Sequence, residues 1–173
     1  MQYSAHGGAD YSPPQCVGIF QDVICEDTPN ADYIEALYNE GVTAGCNADP
    51  LQYCPDSPVT RSEMAVFLLA ALEGADYVPP ACTGIFGDVP CPTYWAADWI
   101  EDLYNRGITA GCSANPLLYC PNSTTSRAEM SVFETATFGF PPHKPYVPSE
   151  LVCPKYCVPT NTVGQPVSVL NPV

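Results

Sequence analysis

Gly41-Val42-Thr43-Ala44-Gly45-Cys46 returns as Gly107-Ile108-Thr109-Ala110-Gly111-Cys112. Working outward from that stretch, residues 8–73 align with residues 74–139 at a constant offset of 66, without a gap and with more than half of the positions identical. Gly8-Ala9-Asp10-Tyr11 returns as Gly74-Ala75-Asp76-Tyr77, and Gly18-Ile19-Phe20 as Gly84-Ile85-Phe86. Self-similarity at a fixed period is the sequence signature of a repeat architecture. The chain therefore divides into an N-terminal extension (1–7), repeat 1 (8–73), repeat 2 (74–139) and a C-terminal extension (140–173). A surface built twice in tandem fits binding or assembly better than catalysis.

Within each repeat the local signals agree. Pro13-Pro14 and Pro79-Pro80 mark an extended opening, because proline disfavours helix in the residue before it. Ile34, Leu37 and Tyr38, and their counterparts Ile100, Leu103 and Tyr104, have helical spacing and predict a first helix over Ala31–Glu40 and Ala96–Arg106. Gly41 and Gly107 stand where a left-handed cap would end it. A loop then runs from Cys46 to Cys54 and from Cys112 to Cys120. Thr60-Arg61-Ser62-Glu63 and Ser126-Arg127-Ala128-Glu129 match the capping box and predict a second helix. Met64, Phe67, Leu68 and Ala71 form its apolar face in repeat 1. In repeat 2, Glu134 and Thr135 replace Leu68 and Leu69, so the last helix is more polar and its neighbours should differ. The expected fold is mainly α, with two helix–loop–helix repeats. The proline-rich extension that follows carries a weak strand signal at Val167 and Val169.

A repeat of this size has a marginal core without covalent staples. The chain has 10 cysteines, four of them recurring in each repeat. An even number at repeated spacings reads as a disulfide framework and an oxidising compartment. Local pairing is the favoured scheme: Cys16–Cys25, Cys46–Cys54, Cys82–Cys91, Cys112–Cys120 and Cys153–Cys157. Spacing alone leaves other pairings open.

Charge narrows the partners. With 19 acidic against 5 basic residues the net charge is −14, which disfavours nucleic acid and anionic membranes. No apolar run is long enough to span a bilayer. The first residues lack the basic and apolar regions of a signal peptide, so the chain reads as a mature secreted form or a part of a longer protein. Calcium could be drawn to Asp22, Asp88, Asp49 or Asp56, although EF-hand spacing is missing and turn or capping roles explain these acids equally well. No metal, cofactor or catalytic site is expected. Both histidines, His6 and His143, lie outside the repeats, and hydrolase, zinc-protease and phosphate-loop motifs are lacking. Asn122-Ser123-Thr124 is a candidate glycosylation sequon.

The ordered series Phe86-Gly87-Asp88-Val89, Tyr94-Trp95-Ala96, Trp99-Ile100, Gly107-Ile108-Thr109-Ala110-Gly111, Tyr119-Cys120-Pro121 and Ser126-Arg127-Ala128-Glu129-Met130 resembles the S-layer homology repeat. Repeat 1 matches as well, except that Pro29 stands where repeat 2 has Trp95. The resemblance covers residues 8–139. It implies a secreted bacterial surface protein, and the family commonly anchors proteins to acidic cell-wall glycans. Carried over, it makes Arg61, Glu63, Arg127 and Glu129 the ligand- or partner-binding residues. Family modules pack three repeats into a three-pronged spindle, whereas this chain has two. We therefore expect a self-assembling structural subunit of a filament or layer, a homo-oligomer joined through the C-terminal extension. A wall-glycan anchor is the alternative. Each arginine sits at the positive end of a helix dipole, a mild cost that points equally to a ligand or partner contact and to an internal salt bridge.

Overall fold

The computed structural model of the chain describes residues 11–139. In order these contain helix α1 (Ala31–Asn39), the hairpin strands β1 (Asn47–Ala48) and β2 (Leu51–Gln52), and helix α2 (Arg61–Glu73). The second repeat follows with helix α3 (Ala97–Asn105), strands β3 (Ser113–Ala114) and β4 (Leu117–Leu118), and helix α4 (Arg127–Phe138). The fold is mainly α, and its strands form two antiparallel two-residue hairpins in which Asn47 faces Gln52 and Ser113 faces Leu118. The loops between the paired cysteines are thus short hairpins. The predicted extension 140–173, with its strand signal and Cys153–Cys157, lies outside the described residues.

The ends of the helices follow the sequence closely. Gly41 (φ 70°) and Gly107 (φ 73°) adopt the left-handed conformation. Val42 N–H donates to Leu37 C=O (2.9 Å) and Gly41 N–H to Tyr38 C=O (2.9 Å), the paired bonds of a Schellman motif. Ile108 and Gly107 repeat both bonds with Leu103 and Tyr104. The two predicted capping boxes, Thr60/Glu63 and Ser126/Glu129, are both formed.

Four disulfides join Cys16–Cys25, Cys46–Cys54, Cys82–Cys91 and Cys112–Cys120, the local scheme expected within the repeats. Each closes a loop of 8 or 9 residues beside a small pad of core. Acidic side chains finish these loops. Glu101 is 3% exposed and accepts N–H bonds from Thr83 (2.5 Å), Gly84 (2.6 Å) and Ile85 (2.8 Å). Glu35 does the same for Val17, Gly18 and Ile19. Asp88 takes the N–H groups of Tyr119 (2.8 Å) and Cys120 (2.7 Å), as Asp22 takes those of Tyr53 and Cys54. Backbone donors that would otherwise be stranded in irregular loops are satisfied this way. Part of the acidity that reads as surface charge in the sequence is internal bonding.

The packing unit is offset from the sequence repeat. α2, the second helix of repeat 1, packs against α3 and α4 of repeat 2. Its Met64, Ala65, Leu68 and Leu69 are buried in one cluster with Phe86, Ile100, Leu103, Tyr119 and Phe133. The helix is apolar on more than one side because it has neighbours on two. Repeat 1's own first half keeps only a small separate cluster of Phe20, Val23, Ala31 and Ile34. Arg106 reinforces the joint: it pairs with Asp102 (3.0 Å), donates to the Tyr77 hydroxyl (2.7 Å) and pairs with Glu73 at the end of α2.

Candidate interaction site at the repeat joint

The capping-box arginine of repeat 1 sits in the joint between repeats. Thr60 is an extended N-cap, and its box with Glu63 fixes the first turn of α2 so that Arg61 points away from its own repeat. Arg61 is 5% exposed. Its Nε donates to the Tyr119 carbonyl (2.9 Å), and one terminal nitrogen pairs with Glu129 (3.2 Å). The guanidinium lies 4.9 Å from the Tyr119 ring centroid and 5.2 Å from that of Phe133, within cation–π range. The cost of a cation at a helix N-terminus is offset by a carboxylate, a carbonyl and two ring faces.

The backbone completes the joint. The Arg61 and Ser62 N–H groups, left orphaned by helix geometry, donate to Ser123 C=O (2.9 Å) and Pro121 C=O (3.1 Å). The Tyr119 hydroxyl returns a bond to Arg61 C=O (2.8 Å), and Ser62 Oγ reaches Pro121 C=O (2.9 Å) and the Tyr94 hydroxyl (2.8 Å). Thr60 and Thr124 form an antiparallel β-bridge. Burial pushes the Tyr119 phenol well above its ordinary range. The Ser126 N–H and hydroxyl donors, aided by the Arg61 charge, hold Glu129 below the usual carboxylate range.

The centre of the receiving surface recurs in repeat 1, while Tyr94 and Thr124 at its edge become Thr28 and Pro58. Tyr119, Glu129, Phe133 and the loop Thr109-Ala110-Gly111 correspond to Tyr53, Glu63, Phe67 and Thr43-Ala44-Gly45. Tyr53, Glu63, Phe67, Thr43 and Gly45 line a cavity of about 100 Å³ with Pro55 and Ser57. It adjoins an apolar cavity of about 200 Å³ lined by Leu37, Val42, Met64, Leu68 and Met130, with Tyr53 and Phe67 common to both. Tyr119 is fully buried, whereas Tyr53 remains partly exposed. Among the described residues nothing takes the place beside Tyr53 that Arg61 holds beside Tyr119.

The capping-box arginine of repeat 2, Arg127, is exposed and makes no hydrogen bond or ion pair among the described residues. The four residues expected at the site thus divide. Arg61 and Glu129 meet in the joint, Glu63 caps α2, and Arg127 points to solvent at the start of α4. Tyr119, Ser62 and the carbonyls of Pro121 and Ser123 belong to the site but were not legible in the sequence, because they act through backbone atoms or through a neighbour 58 or more residues away.

The remaining candidates are placed as follows. Asn122 is exposed, and its Oδ1 accepts a bond from the Tyr94 hydroxyl (3.2 Å). Asp22 and Asp88 anchor the hairpins, next to cysteines already held in disulfides. Asp22 and Asp56 border an acidic cavity with Asp27. Among the described residues no helix is long and apolar enough to cross a membrane. No protein-family model and no curated protein matches the chain.

Proposed function

We propose that this chain is a non-catalytic, extracellular structural protein whose disulfide-stapled repeats, S-layer-homology-like in motif order, assemble with further copies into a filament or layer at a bacterial surface. The observation that carries this reading is the repeat joint. It is made once inside the chain, while one donor arginine and one receiving surface of the same kind stay open on different patches. A contact whose two halves lie on different patches is heterologous, and repeated head to tail it yields open polymers unless the rotation closes a ring. The four disulfides support an oxidising, extracellular setting. Electron microscopy of the purified, non-reduced chain tests it: regular filaments or sheets are expected, and dispersed single particles at every concentration would refute it.

A second reading has its own observation. A cavity of about 260 Å³ opens beside Arg61 and Glu129, lined by Ile108, Thr109, Gly111 and Val132. There Arg61, or Arg127 at its free end, would hold a carboxylate of an acidic wall glycan. Cell-wall pull-down separates the readings, since the anchor requires binding that Arg61→Ala plus Arg127→Ala abolishes.

A further inference from the structure

We infer that Arg127 of one copy docks into the Tyr53–Glu63–Phe67 surface of a second copy, reproducing between chains the contact that Arg61 makes within one. This rests on the self-assembly reading above and assigns its interface. The internal joint supplies the template. Arg61 engages Tyr119, Glu129 and Phe133, and the residues 66 positions earlier are Tyr53, Glu63 and Phe67, with no change of residue type. The presenting element also recurs: Ser126 and Glu129 form the same capping box as Thr60 and Glu63 and fix the first turn of α4 in the same way.

Charge complementarity agrees. Arg127 is a cation on a chain of net charge −14, and the receiving surface offers the Glu63 carboxylate and the Tyr53 carbonyl. The two halves also differ from the internal pair in a matched way. Leu68 and Leu69 on the presenting helix become Glu134 and Thr135, and Ala96 on the receiving side becomes Asn30, which is exposed. The contact between copies is thus the same arginine anchor with a more polar flank.

The test uses the full chain with its disulfides intact. Sedimentation of the wild type against concentration should show self-association that Arg127→Glu weakens roughly 30-fold or more, as expected for losing one partner of a desolvated charge pair. Arg127 is exposed, so the variant keeps its fold. A cross-link gives an independent readout. The bridge between Thr60 and Thr124 maps onto Ser126 of one copy and Pro58 of the next, within disulfide reach. Chains carrying Ser126→Cys mixed with chains carrying Pro58→Cys should form a covalent dimer. Replacing Pro58→Cys by Val17→Cys, a position 80% exposed, should abolish it. Association unchanged by Arg127→Glu, or lost without the selective cross-link, overturns this contact and leaves self-assembly standing. A wild type that stays monomeric at all concentrations overturns both.

Discussion

The Arg61 Nε donates to the carbonyl oxygen of Tyr119 at 2.9 Å, and the Tyr119 hydroxyl donates back to the carbonyl of Arg61 at 2.8 Å. This reciprocal pair ties the start of α2 to the loop before α4 across 58 residues of chain. It joins α2 to repeat 2, where the larger of the two clusters of buried apolar side chains lies.

Truncating that arginine should therefore cost far more than truncating its counterpart. Arg61→Ala leaves the Tyr119 carbonyl and the Glu129 carboxylate without their partner and opens space between two rings. A loss of about 3 kcal/mol is expected. Arg127→Ala removes an exposed side chain and should stay within about 0.5 kcal/mol in the monomer. Urea denaturation at a concentration where the chains are dissociated checks both, and equal effects would contradict the placement of Arg61 in the joint. Arg61→Lys should not restore stability, because a single ammonium cannot replace the planar fork.

Acid should weaken the fold through Glu101. At Glu101 burial raises the pKa, but N–H donors from Thr83, Ile85 and Gly84 outweigh it and hold the group below its ordinary 4.5. A group with a depressed folded pKa contributes stability that is fully present above the unfolded value and lost as pH falls through the folded one. The urea midpoint should therefore drop on acidification below about 4.5, and Glu101→Gln should flatten that drop while lowering stability at neutral pH by about 2 kcal/mol. A midpoint as steep in the variant as in the wild type would remove Glu101 from this account.

Two glycines with nearly the same backbone angle should respond differently to alanine. Gly84 (φ 87°) has open space around the position of an added Cβ, so Gly84→Ala costs about 1 kcal/mol for the left-handed conformation alone. At Gly111 (φ 82°) the Cβ would also collide with the Leu118 carbonyl oxygen, within the hairpin that the Cys112–Cys120 disulfide closes. Gly111→Ala should exceed Gly84→Ala by at least about 1 kcal/mol in thermal or urea unfolding. A smaller gap would mean that the hairpin yields.

Opening one staple should be costly but local. Replacing Cys112 and Cys120 by serine frees a loop whose ends are 8 residues apart, worth about 2–3 kcal/mol in the chain-entropy model. Hydrogen exchange should rise first in Cys112–Cys120 and in the Arg61 and Ser62 amides that donate to Ser123 and Pro121, with α3 protected longest. Uniform loss of protection throughout residues 11–139 would argue against a separate hairpin unit.

Much of the local structure was legible from residue order. The glycine caps, both capping boxes and four of the disulfide pairs involve partners within ten residues, so spacing and residue type carry the information. The acceptor roles of Glu35, Glu101, Asp22 and Asp88 were not. Their donors are backbone N–H groups 16 to 32 residues away, and a backbone donor leaves no signature of its own in the sequence. The packing of α2 onto repeat 2 was hidden as well, because a period of 66 residues states that units recur and not which halves meet.

By itself the sequence determined a disulfide-stapled tandem repeat of short capped helices, since those features depend on near neighbours along the chain. Only the tertiary structure decided that Arg61 is buried and Arg127 exposed, though both open a helix from the same motif. The difference lies in what stands beyond each helix. α2 is followed by a second repeat that offers Tyr119, Glu129 and Phe133, and among the described residues nothing equivalent stands beyond α4. Burial is a property of the neighbours gathered in space, and the same local motif acquires opposite roles when those neighbours differ.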